Sequence, residues 1–221
     1  MMAHSKYTVA IAGNIGAGKS SLTEILRQSL GWKAFYEAVD ENPYLDDFYQ
    51  DMRRWSFHSQ IFFLARRLRD HHQMVEYPHS VLQDRSIYED AEIFARNLYV
   101  QGLMSERDYA SYHDLYAALC QVLPPPTLVI YIRASVPTLI ERIRMRGRDY
   151  EQNVPQDYLT QLNTLYGEWA DAFGQCPLLT IDGDQVDFVH DAAQREALVQ
   201  QIIAALPGYQ ASLPGIAHDP V

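Results

Sequence analysis

Brief apolar runs alternate with longer amphipathic stretches along most of this chain. Tyr7 to Ala12, Ala34 to Glu37, Val81 to Asp84, Thr127 to Ile132 and Leu178 to Ile181 are short and β-rich, and such alternation predicts parallel strands joined by helical crossovers. Val9-Ala10-Ile11-Ala12 and Leu128-Val129-Ile130-Tyr131-Ile132 are apolar throughout, as central strands covered on both faces are. The expected fold is therefore α/β, a five-stranded, mostly parallel sheet flanked by helices. A long helix is predicted around Arg54 to Glu76, and two more around Tyr88 to Val100 and Ser105 to Val122. Pro124-Pro125-Pro126 stops the last of these, because proline lacks an amide donor and clashes with the preceding turn.

At 221 residues, 48% hydrophobic and 21% charged, the chain suits one domain. We place it at 1–206, with an Arg-rich lid at about 142–152 and a weakly ordered tail at 207–221. No run approaches the about 18 apolar residues of a membrane span, and Met1 to Tyr7 lacks the apolar stretch of a secretory signal. A cytoplasmic protein is expected, with no membrane partner. Cys120 and Cys176 fit a reducing compartment and read as buried, inert thiols. A net charge of −10 argues against a polymeric nucleic-acid partner. Yet ten of the 18 basic residues fall in two segments, Arg53 to Arg69 and Arg133 to Arg148, which suggests a local anionic ligand.

That ligand has a motif. Gly13-Asn14-Ile15-Gly16-Ala17-Gly18-Lys19-Ser20 matches G-x-x-x-x-G-K-[ST] between a strand signal and a helical pattern. Glycines let backbone amides turn onto phosphate oxygens, Lys19 sets a charge on the β and γ phosphates, and Ser20 offers its hydroxyl to Mg²⁺, with Ser21 beside it. A nucleoside triphosphate and Mg²⁺ are the implied cofactors. No Asn-Lys-x-Asp signature for guanine is present.

On the acceptor side, Asp84-Arg85-Ser86 closes the third strand, where a parallel sheet offers its carboxyl ends to ligand. Asp84 either serves the metal or caps the next helix; Glu37, ending the second strand, is either a cleft carboxylate or a surface one. Arg142, Arg144, Arg146 and Arg148 surround a helix end. Arg142 and Arg146 are i, i+4 neighbours able to grip one anion, and Arg148 continues the run into the lid; a solvated charge run is the alternative.

Together these residues resemble the deoxynucleoside kinase family, in its bacterial deoxyadenosine/deoxycytidine kinase branch. The resemblance runs from about Tyr7 to Phe188: the phosphate loop, Glu37 with Asn42-Pro43-Tyr44-Leu45, Trp55-Ser56-Phe57-His58-Ser59-Gln60, Asp84-Arg85-Ser86-Ile87-Tyr88-Glu89-Asp90, and Arg146-Gly147-Arg148. It implies that Glu37 takes the proton of a 5′-hydroxyl, Arg85 orients it, and Asp84 serves Mg²⁺. It places Tyr49 and Glu151 at the sugar 3′-hydroxyl, Gln60 on the base edge with Trp55 as a further pocket candidate, and Arg67 with Asp90 at the far edge of the base. Arg67 and Asp90 also read as a buried ion pair with no ligand role. Asp187 and Phe188 follow the fifth strand, where relatives pack around the donor base; a plain strand-to-helix turn is the alternative. The family further implies a homodimer through the helices between Tyr88 and Val122. The expected activity is ATP-dependent phosphorylation of deoxyadenosine, also deoxycytidine or deoxyguanosine. A thymidylate-kinase-like monophosphate kinase is the alternative, disfavoured because Glu37 and Glu151 would repel an acceptor phosphate.

Overall fold

The computed structural model describes residues 6–37, 41–148 and 154–209. Its sheet has five strands, β1 (Thr8–Gly13), β2 (Lys33–Phe35), β3 (Val81–Asp84), β4 (Leu128–Arg133) and β5 (Leu178–Asp182), in the order β2-β3-β1-β4-β5. Every pairing is parallel. All five strands therefore present their carboxyl ends at one edge, and β1 is central because its run is apolar on both faces.

Successive side chains of a strand point to opposite faces, and the core divides accordingly. Ala10, Ala12, Val129 and Tyr131 face one cluster, which holds Leu64, Ile93, Tyr112 and Tyr166. Val9, Ile11, Leu128, Ile130 and Ile132 face the other, with Leu22, Leu26, Leu139 and Ile202. The first cluster is covered by α2 (Leu45–Gln50), α3 (Met52–Glu76), α6 (Glu106–Val122) and α8 (Gln156–Ala172); the second by α1 (Lys19–Leu30), α7 (Val136–Arg146) and α9 (Ala192–Ala205).

Local chemistry sets the boundaries. Asp51 caps α3 by accepting from the Arg54 amide at 3.1 Å, and Ser105 caps α6 by accepting from Asp108. The segment expected as one helix from Tyr88 is instead α4 (Ile87–Glu89), a π-helical stretch (Asp90–Ala95) and α5 (Arg96–Val100). Gly147, at φ 70°, ends α7 in the left-handed conformation that glycine adopts without penalty. Residues 149–152 of the expected lid, and most of the expected tail, 210–221, lie outside the described residues. Cys120 and Cys176 are free and only partly buried, a correction to the expectation of fully buried thiols. Among the described residues no helix is long and apolar enough to cross a membrane.

Ile130 is fully buried at the sheet centre. Ile130→Ala should destabilise the fold by about 2–5 kcal/mol, read as a lowered urea midpoint at unchanged m-value.

Candidate active site

The phosphate loop leaves β1 at Gly13 and enters α1 at Lys19. Gly13, Gly16 and Gly18 have φ of 150°, 82° and 102°, which a side chain resists. Space forbids one as well: a Cβ on Gly13 would stand 2.9 Å from the Ile132 carbonyl oxygen, and one on Gly16 2.8 Å from that of Leu139. The loop is thus pressed against β4 and α7. Asn14 ties it sideways, donating to the Leu159 carbonyl at 3.1 Å and to Asn163 Oδ1 at 3.2 Å while accepting from the Ile15 amide. The ammonium of Lys19 is buried and donates to the carbonyls of Gly13 and Asn14 at 2.9 and 3.1 Å. Burial, then repulsion from Arg85, lower its pKa to about 8.

Ser20 Oγ donates to Asp84 Oδ2 at 2.5 Å, so the end of β3 meets the first turn of α1. The other oxygen, Asp84 Oδ1, is buried with no hydrogen-bond partner among the described residues. A hydroxyl beside an anionic oxygen with spare lone pairs is a hard-oxygen set that fits Mg²⁺.

Arg85 follows with φ 70°, the only non-glycine described residue in the left-handed region. Its amide donates to the Ile11 carbonyl at 3.0 Å. Its Nε lies 2.7 Å from Glu37 Oε1, and its guanidinium stacks on Phe94 at 4.2 Å from the ring centre. Arg67 reaches the same Glu37 oxygen at 3.7 Å, holds Asp90 at 3.0 and 3.4 Å, and donates to the Asp84 carbonyl at 3.1 Å. Burial alone would raise the Glu37 carboxyl, but Arg85, Arg67 and Lys19 more than offset it and hold its pKa below the usual carboxylate value.

One cavity of about 330 Å³ joins these parts. Lys19, Ser20, Glu37, Tyr49, Gln60, Asp84, Arg85, Asp90, Arg146 and Arg148 all line it, with apolar walls from Leu45, Phe48, Phe63, Phe94 and Tyr158. A second groove of about 610 Å³ shares Gly16, Lys19, Ser20, Arg146 and Arg148 and extends over Gly18, Ser21, Arg142 and Asp187. Donor and acceptor spaces therefore meet at the loop.

Several expected residues occupy other places. Trp55 does not line the cavity; it packs against Tyr44 and His58 at 5.7 and 5.3 Å. Five residues separate it from Gln60, about 140° around a helix, so the two cannot share a face. Arg67, seven residues on, shares the Gln60 face as expected but stands behind Asp90. Both terminal nitrogens of Arg142 are taken by the carbonyls of Ala17 and Gly183, at 3.0 and 2.7 Å. It thereby braces the loop from within the second groove, which it lines together with Arg146. Phe188, expected at the donor base, does line the second groove, but as its floor: it is 2% exposed and sits under Gly18, its ring 3.2 Å from where a Cβ would stand. Asp187 accepts from the amides of Val189 and His190 at the groove rim. Glu151 lies outside the described residues.

The sequence reading missed Glu89 and Tyr166. Glu89 is fully buried between the loop and Arg85, and Tyr166 donates to it at 2.9 Å. Burial pushes the Glu89 carboxyl up, with Arg85 and Lys19 opposing in part. Ser86-x-x-Glu89 is a capping-box pattern and was the available signal.

A phosphate loop on a parallel sheet, opening into a cavity with a carboxylate–arginine pair, defines a P-loop phosphotransferase. A family model described as deoxynucleoside kinase matches residues 9–206, and the chain belongs to that family. Relatives include a deoxyadenosine/deoxycytidine kinase of Bacillus subtilis, 38% identical over 90% of this chain and 92% of its own. A deoxyguanosine kinase of Lactobacillus acidophilus is 39% identical over 90% of each chain. The solved structure of deoxyadenosine kinase from M. mycoides with bound dATP superposes with a TM-score of 0.79, at 30% identity, over 89% of this chain and 98% of that one.

Gly16→Ala should raise the Kd for Mg·ATP at least about tenfold, roughly 1.4 kcal/mol, by calorimetry, with the fold intact. Unchanged affinity would mean that the loop does not need its present curvature.

Proposed function

We propose that this protein transfers the γ-phosphate of ATP to the 5′-hydroxyl of a deoxynucleoside, deoxyadenosine first and deoxycytidine or deoxyguanosine as well. The observation that carries the reading is the single cavity in which Lys19 and Ser20 of the phosphate loop face the Glu37–Arg85 pair, with Gln60 and Asp90 beyond. Phosphate-handling and base-reading groups share one enclosed space of the size of a small molecule.

In this mechanism the acceptor enters with its base toward Gln60 and Asp90. The Gln60 amide carries a donor and an acceptor, matching the amine and adjacent ring nitrogen of adenine or cytosine. Asp90 accepts from an exocyclic amine, and Arg67 pairs with it from behind. Tyr49 and Glu151 take the sugar 3′-hydroxyl. Glu37 accepts the 5′-hydroxyl proton as the oxygen bonds to the γ-phosphorus and the β–γ bridging oxygen departs with ADP. A carboxylate of lowered pKa is a weak base, but in a loose transition state the proton moves late, so position outweighs strength. Lys19 follows the charge on the β and γ oxygens, and Arg146 and Arg148, from the lid stem, reach the same space. Ser20 and Asp84 would hold Mg²⁺, which neutralises charge between the β and γ phosphates. The acidic lining, Glu37 and Asp90, disfavours a monophosphate as acceptor.

The domain that does this is proposed as 1–206, with its lid at about 142–152, and the family match over 9–206 supports it. A homodimer in the cytoplasm is part of the proposal: Val100, Leu115 and Val122 expose 69%, 45% and 72% of their surface along the helices between Tyr88 and Val122. Small-molecule nucleosides and nucleotides are the other partners.

Initial rates with Mg·ATP should be high for deoxyadenosine or deoxycytidine and low for thymidine and dAMP; turnover confined to dAMP would overturn the acceptor assignment. Glu37→Gln should lower kcat about 10²- to 10⁴-fold, with the deoxynucleoside KM changed far less.

Protonation sets a further expectation. Because the folded pKa of Glu37 is depressed below its ordinary 4.5, its ionised form stabilises the fold above that value, and the contribution is lost as pH falls through the lower folded value. The stability gap between wild type and Glu37→Gln, from urea titrations, should hold from pH 7 to about 5 and shrink below the ordinary carboxylate range.

A further inference from the structure

Glu89 lies in neither the phosphate loop nor the acceptor cavity, yet its carboxylate touches both machineries. It is 0% exposed. Oε1 accepts from the Gly13 amide at 3.1 Å and the Tyr166 hydroxyl at 2.9 Å; Oε2 accepts from the Ser86 amide at 2.8 Å and the Ser86 hydroxyl at 3.2 Å. Four donors converging on two oxygens saturate the group, as a carboxylate buried away from water requires.

Each donor leads to a working part. Gly13 begins the phosphate loop, and its carbonyl receives Lys19; Glu89 pins the amide of that same residue. Ser86 follows Arg85, whose left-handed backbone is a conformation that costs an ordinary residue about 1–3 kcal/mol and persists only where its neighbours fix it. The Ile11 carbonyl fixes one side of Arg85 through its amide, and Glu89 fixes the other through Ser86. Tyr166, from α8, donates to Glu89 and lies 3.5 Å from Arg85 Nη1. Its ring stacks on Tyr131 of β4, 5.8 Å between centres, so the hydroxyl has a rigid mount.

We propose that Glu89 is a positioning residue that locks the phosphate loop at Gly13 and the catalytic Arg85 into one register, so that donor phosphate and acceptor hydroxyl are held in line by a shared anchor. The proposal rests on the kinase reading above. A displacement near 1 Å at such a site costs about 10²-fold in rate, while the substrate-contacting side chains stay in place. Loss of the anchor should therefore appear in kcat more than in the deoxynucleoside KM.

Glu89→Gln keeps the shape but turns an NH₂ toward hydrogen-bond donors. Expected is a kcat per folded molecule about 10- to 100-fold lower, a deoxynucleoside KM within about threefold of wild type, and weaker Mg·ATP binding by calorimetry. Tyr166→Phe cuts only the branch to Arg85: kcat should fall several-fold with the ATP Kd unchanged. A folded Glu89→Gln protein with kcat within twofold of wild type would overturn the proposal, as would a loss that merely tracks the unfolded fraction in a melting curve. If Glu89→Gln does not fold, Tyr166→Phe decides, and kcat within twofold of wild type overturns the idea. Wild-type protein inactive on every deoxynucleoside would sink the kinase reading instead. In that case the Mg·ATP affinity of Glu89→Gln still decides the anchor, at least threefold weaker supporting it and unchanged affinity overturning it.

Discussion

Arg85 is a buried guanidinium on a strained backbone, and the site depends on how it is neutralised. Taking an ion from water costs several kcal/mol unless partners replace the solvent. Arg85 has Glu37 at 2.7 Å, the Phe94 face at 4.2 Å and the Tyr166 hydroxyl at 3.5 Å. Glu37 is in turn shared with Arg67, which is shared with Asp90. The cluster packs the buried cations Lys19, Arg67 and Arg85 among four acidic side chains, Glu37, Asp84, Glu89 and Asp90. Of these acids' oxygens, Asp84 Oδ1 is buried with no hydrogen-bond partner among the described residues. Ser20 donates to the other Asp84 oxygen at 2.5 Å, so the free lone pairs lie beside the first turn of α1.

The cluster also explains the placement of the acceptor. Glu37 is held ionised by the cations behind it, and Asp90 is paired with Arg67, so both present acidic oxygens at the cavity. A neutral nucleoside with donor hydroxyls and an exocyclic amine complements that field; an acceptor carrying its own phosphate dianion opposes it. Asp90 and Phe94, four residues apart in the π-helical segment, share one face of it and both line the cavity wall. Asp90 then faces the cavity while Phe94 backs Arg85.

Much of this was legible in the residue order, for identifiable reasons. A motif whose chemistry lies in the backbone, such as Gly13 to Ser20, survives translation into structure because glycine positions dictate the path. Doubly apolar runs located β1 and β4, and a spacing of seven located Gln60 and Arg67 on one helical face. What failed depended on contacts between distant segments. Arginines at i and i+4 look equivalent in sequence, yet Arg142 meets the carbonyls of Ala17 and Gly183, which only the folded loop brings near. Phe188 is expected against the donor base, and only the close approach of Gly18 makes it floor rather than wall. Trp55 and Gln60 share a motif but sit about 140° apart on their helix.

Glu89 shows the same limit from the opposite direction. Locally it is the last member of a capping box, and Ser86 with Glu89 does cap α4, with both reciprocal hydrogen bonds present. A cap at an exposed helix end would use one carboxylate oxygen and leave the other to water. Here α4 starts beneath the sheet edge, where no water is available, so the spare oxygen had to find protein donors, and those within reach were the first amide of the phosphate loop and the Tyr166 hydroxyl. Burial thus turned a helix-capping side chain into a tie between β1, β3 and α8. That is why the strained arginine and the phosphate loop, 72 residues apart in sequence, are governed by one carboxylate.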